Sequence, residues 1–105
     1  DGTIVRAQGR HEYQNDPTPL EGNISRLQEL SIQGSKIIFT TARPARVHQR
    51  TYDMLVKLGF KDFELISNLP NTKRILINDY NNANPHPRAI AINLKRDSDN
   101  LRDFL

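Results

Sequence analysis

The chain has 105 residues, 36% of them hydrophobic and 26% charged, without a single cysteine, which suits one domain with one modest core. This composition excludes a disulfide framework, a thiolate metal site and a thiol nucleophile, and no apolar run approaches the roughly 20 residues of a membrane-spanning helix. The net charge of +3 arises from 15 Lys and Arg scattered among 12 Asp and Glu, with neither a basic block nor basic-aromatic interleaving. That argues against a nucleic-acid partner and suits small phosphorylated metabolites.

The chain opens on Asp1-Gly2-Thr3-Ile4, without the basic-then-apolar pattern of a signal peptide, so a cytoplasmic location is expected. After an irregular stretch over residues 5–17, helix signals coincide: Thr18 as N-cap, Pro19 in the first helical position and Glu21 completing a capping box. Leu20, Ile24, Leu27 and Leu30 recur at helical spacing, and Gly34 can close the end. Residues 36–40 read as a short apolar strand. A second helix is expected from Ala45 to Leu58, carrying Val47, Met54, Leu55 and Leu58 before Gly59 stops it. Three further strands are expected at 63–66, 74–78 and 89–93, with an irregular stretch at 79–88 and a helical turn within 98–105. Near-continuous apolar strands separated by helices predict a mainly parallel sheet covered on both faces, in a single domain over residues 1–105.

Ligands of open α/β sheets bind beyond the carboxyl ends of the strands, so the polar residues there carry the functional information. They are Thr40, Thr41 and Arg43 after one strand, Asn78 and Asp79 after another, and Asn93 after the last. Thr41 precedes Pro44 and a helix amino end, where free N–H groups attract an oxyanion such as phosphate; it also reads as an ordinary helix cap. Asn78-Asp79 offers hard oxygen ligands suited to Mg²⁺ and equally a turn pair. The same two readings apply to Asp1-Gly2. Arg43 reads either as a substrate contact or as the partner of a surface acid.

Asp-Gly-Thr, then a strand ending in Thr-Ala-Arg-Pro, then an apolar strand ending in Asn-Asp resembles the haloacid dehalogenase superfamily of phosphohydrolases over nearly the whole chain. It looks most like small, capless, phosphatase-like members linked to capsule and surface-polysaccharide synthesis. Tyr13, Pro17, Gly34, Gly59 and the segment 84–93 continue the likeness. The resemblance implies a Rossmann-like three-layer α/β/α sandwich without a cap domain. It also implies a Mg²⁺-dependent phosphohydrolase of small phosphorylated metabolites such as sugar phosphates, working through an aspartyl phosphate. Asp1 would match the acid-base aspartate, whose carbonyl also faces the metal. Thr41 would hold the transferring phosphoryl group, and Asp79 with Asn78 beside it would complete the metal ligands. Gly2, Thr3, Thr40 and Arg43 would line the substrate. In such a reaction fixed donors and the cation offset charge on the phosphoryl oxygens.

The pattern departs from the family in two places. The family nucleophile lies two positions before the aspartate matched by Asp1, and neither it nor its central strand occurs in the sequence. A sheet lacking that strand would leave its neighbours with unpaired backbone groups, so further chain is expected before Asp1. Asn68-Leu69-Pro70 stands where many relatives have Gly-Lys-Pro, and Lys73 is the candidate to supply the charge, or else a solvated loop lysine. A non-catalytic phosphate-binding or regulatory domain is therefore the rival reading, with a response-regulator receiver behind it because the order of its acidic residues differs. His11, His48 and His86 show no ligand spacing, which argues against zinc.

Overall fold

The computed structural model describes residues 1–9, 13, 16–83 and 88–105. Its elements are helix α1 (Glu21–Ile32), strand β1 (Ile37–Thr40), a 3-10 turn (Ala45–Val47) leading into helix α2 (His48–Lys57), strand β2 (Phe63–Ile66) and a 3-10 turn (Leu101–Asp103). Among the described residues, β1 and β2 form a parallel pair in which Ile37 stands opposite Phe63 and Thr40 opposite Ile66. The result is a mixed helix-and-strand domain with two parallel strands and two helices.

Both helices stop where glycine was expected to stop them. Gly34 and Gly59 adopt φ of +102° and +103°, a left-handed conformation that costs a residue with Cβ and costs glycine little. At α1 the Gly34 N–H donates to the Ser31 carbonyl and Ser35 to Leu30; at α2 Gly59 donates to Val56 and Phe60 to Leu55. These paired bonds satisfy the last carbonyls of each helix. Phe60 then packs with Leu55, Ile24 and Phe63 in the core. Phe39 meets the rings of Phe60 and Phe63 edge-on at 4.9 and 5.6 Å, the geometry that aromatic quadrupoles favour.

The start of α1 differs from expectation. Leu20, not Thr18, occupies the N-cap position, and no side chain of the local sequence caps the helix. The carboxylate of Asp99 does so from the other end of the chain, accepting from the N–H groups of Gly22 at 3.0 Å and Asn23 at 2.7 Å. Thr18 is drawn elsewhere: its carbonyl accepts from Arg6, and Pro19 bridges Val5 in antiparallel fashion. Asn23, fully buried, donates to the carbonyls of Thr3 and Ser98 and accepts from the N–H of Leu101. One amide thus ties the amino-terminal segment, α1 and the last turn together.

The strands expected at 74–78 and 89–93 do not form, and the sheet there is a two-stranded pair. Ile75, Leu76 and Ile77 are 79%, 74% and 89% exposed. The physical reason lies beside β1. Among the described residues β1 has β2 as its one ladder partner, and it borders a cleft of about 320 Å³ lined by Ile37, Phe39, Leu27, Leu55 and Leu65. An apolar run without a neighbouring ladder has no partner for its backbone groups and stays in water.

Candidate functional site

The rim at the carboxyl end of the β1–β2 pair is assembled by backbone bonds. Thr41 N–H donates to the Ile66 carbonyl, Asn68 to Arg43 and Leu69 to Thr41, so the loop after β1 is stitched to the loop after β2. Asn68 takes φ of +61° to make this junction, a conformation that asparagine tolerates better than most residues. The amino-terminal segment reaches the same rim because it is pinned along its length. Leu20 donates to the Ile4 carbonyl, Asp97 to that of Gly2, and the Ala7 N–H donates to the Asp97 carboxylate.

Arg43 is the centre of the site and is only 4% exposed. Its Nε donates to Asp1 Oδ2 at 3.1 Å and its Nη2 to Asp1 Oδ1 at 2.7 Å, a two-pronged charge-assisted grip. Nη1 donates to Thr51 Oγ1 at 3.2 Å, and that hydroxyl in turn donates to the Val47 carbonyl. The guanidinium carbon lies 5.2 Å from the centre of the Tyr13 ring. Burial lowers the Arg43 pKa from its ordinary value while Tyr13 pulls it the other way; an arginine so shifted stays cationic at neutral pH. Of the two readings of Arg43, pairing with an acid is the observed one, although the arginine is buried.

Thr41 Oγ1 accepts the Arg43 backbone N–H at 3.1 Å, shaping its own loop, while the following turn starts at Pro44 without a side-chain cap. Thr41 is thus not the helix cap it resembles in sequence. Asp1, Thr3, Thr40, Thr41 and Arg43 all line the cleft beside β1. Gly2 adjoins it, buried, with its N–H on the Val5 carbonyl.

The remaining candidates are not drawn in. Lys73, Asn78 and Asp79 lie in the exposed stretch 71–80. Among the described residues, none of them has a hydrogen bond or ion pair to Asp1 or Thr41. Mg²⁺ requires hard oxygen donors around one point, and the chemistry of Asp1, Asn78 and Asp79 is right for it. Both Asp1 oxygens accept from Arg43, and no group of three or more His, Asp or Glu converges among the described residues.

Several neighbours of the rim escaped sequence reasoning. Thr51 supports Arg43 from the second turn of α2, and the His48 Nδ1 sits 2.5 Å from Ser67 Oγ, clamping the start of α2 to the end of β2. Arg46 lies 5.7 Å from the Tyr13 ring centre, and Arg50 donates to the Tyr13 carbonyl at 3.0 Å. The available signal was the spacing of Arg43, Arg46 and Arg50, which returns to one helical face every three or four residues. His11, His86 and residues 84–87 of the family-like segment lie outside the described residues.

No family model, curated protein or solved structure matches the chain. Among the described residues no helix is long and apolar enough to cross a membrane.

Proposed function

We propose that this rim holds the phosphoryl group of a small phosphorylated metabolite, a sugar phosphate in the first instance. The domain would be of haloacid dehalogenase type, with a Rossmann-like three-layer architecture, and its activity phosphate-ester hydrolysis. The observation that supports the reading is the meeting of Asp1 with Thr41 and Arg43, forty or more positions away, at the carboxyl end of a parallel strand pair. In this reading the Thr41 hydroxyl faces the phosphoryl oxygens. Arg43 orients Asp1, which in its protonated carboxylic-acid form would give a proton to the leaving oxygen and be left as the carboxylate that Arg43 stabilises.

Magnesium belongs to this reading as the source of charge neutralisation on the phosphate, and no step is derived through it from the residues as they stand. The two-pronged engagement of Asp1 by Arg43 favours a second reading, a phosphate-binding domain without turnover. Release of phosphate from p-nitrophenyl phosphate with magnesium and with EDTA separates the two. Magnesium-dependent release that falls about 10²-fold or more in Asp1→Asn supports hydrolysis. Saturable phosphate binding without release supports the binding domain. Phosphate affinity unchanged in Thr41→Val would remove the rim from both.

A further inference from the structure

The cleft beside β1 is polar at one end only. It is lined by every residue over 37–41, so it follows the strand for about 13 Å at ~3.3 Å per residue. At the carboxyl end stand Thr40 and Thr41, with Asp1, Arg43 and Thr51 joined there by hydrogen bonds. In the other direction along the strand the lining is Phe39 and Ile37. Helix α2, which runs back from the rim between two parallel strands, repeats this order: Thr51 comes first, then Met54 and Leu55 one turn on. Leu27 and Leu65 complete the apolar part, whose side chains belong to the core cluster or pack against it.

The phosphoryl reading uses the polar end and leaves the apolar part without a role. Leucine, isoleucine and phenylalanine walls offer no hydrogen bond to the hydroxyls of a sugar, and a hydroxyl buried unpaired is costly. An aliphatic chain gains there with each methylene it buries. Mostly apolar linings with a few convergent polar groups are the usual make-up of small-molecule sites, the polar groups fixing orientation. Size sets the limit. An apolar cavity of about 150 Å³ takes one benzene ring, so about 320 Å³ holds a phosphoryl group and roughly six to eight carbons.

We propose that the cleft takes a phosphate monoester of a linear aliphatic alcohol, its phosphoryl group at Thr41 and its chain lying along Phe39 and Ile37. This rests on the phosphoryl reading of the rim, keeps the phosphoryl group and replaces the sugar by an aliphatic chain. Calorimetric titration of the full chain with methyl-, butyl-, hexyl-, octyl- and decylphosphonate, whose C–P bond resists hydrolysis, tests it in the presence of magnesium. Affinity is expected to rise about fourfold per methylene, at least tenfold from the butyl to the hexyl compound, and to level off between octyl and decyl. Leu27→Gln and Met54→Gln, both at half-buried positions, make the wall polar. Each should cut the butyl-to-hexyl gain at least threefold and leave methylphosphonate binding unchanged. Equal affinity along the parent series, or a gain that survives in both glutamine variants, overturns the aliphatic subsite and leaves the apolar part to be covered by protein. Thr41→Val keeps the two claims apart, because it should weaken every phosphonate by the same factor. If it weakens none, the rim reading fails while the chain-length gain still decides the subsite.

Discussion

Residues 37–40 and 74–78 carry nearly the same message, a short apolar run ending in polar residues, and meet opposite fates. Ile37–Thr40 pairs with β2 and packs on Phe60 and Phe63, whereas Ile75, Leu76 and Ile77 stand exposed. What separates them is neighbours. A strand needs a ladder on at least one edge and a surface under one face, and β1 has both because α2, ending on Gly59, turns the chain back so that β2 lies beside it.

The sharpest way to break this comparison is to truncate one apolar residue in each region. Phe60→Ala should cost about 3–5 kcal/mol in urea unfolding, as expected for a core aromatic. Leu76→Ala should change stability by less than about 0.5 kcal/mol, as for an exposed site. Equal losses would mean that 74–78 is packed after all. Next in size is Asn23→Ala, which leaves the Thr3 and Ser98 carbonyls and the Leu101 N–H without their partner. A loss of about 2–3 kcal/mol is expected, together with faster amide exchange in residues 98–105.

Smaller is the cap. Asp99→Ala should lower stability by about 1 kcal/mol, while Thr18→Ala should leave the α1 amides as protected as before; the reverse order would restore the local capping box. The smallest effect concerns Glu29, whose pKa is held below its ordinary value of 4.5 first by hydrogen bonds from Arg102 and then by Arg26. Because the folded value is the depressed one, the contribution is present above 4.5 and lost as pH falls through the lower folded value. Melting curves of Arg102→Ala and the parent should therefore differ slightly at pH 6 and converge toward pH 3. The pair is exposed, so a difference that grows on acidification would contradict the assignment.

Much of the fold was readable because its signals are local. The apolar spacing of Ile24 and Leu27, the stops at Gly34 and Gly59, and the short runs of β1 and β2 each act within one or two turns of chain. The site was half readable. Thr41, Arg43 and Asp1 stood out as polar residues at strand ends, but nothing in the sequence says that Arg43 turns inward and takes Asp1 in both prongs. Asp79 and Lys73 stood out by the same logic and remain in an exposed stretch, because polarity at the end of an apolar run marks a rim only when that run joins the sheet.

The order of residues by itself determined the kind of element at α1, α2, β1 and β2 and where both helices end, since these depend on backbone conformation and periodicity along a few neighbouring positions. Tertiary structure alone decided that Asp99 caps α1, that Asn23 binds both ends of the chain, that Arg43 grips Asp1, and that two of the apolar runs stay unpaired. The first three outcomes need a partner brought from tens of positions away and the last is the lack of one, since a hydrogen bond or ladder exists only once folding has supplied the other half.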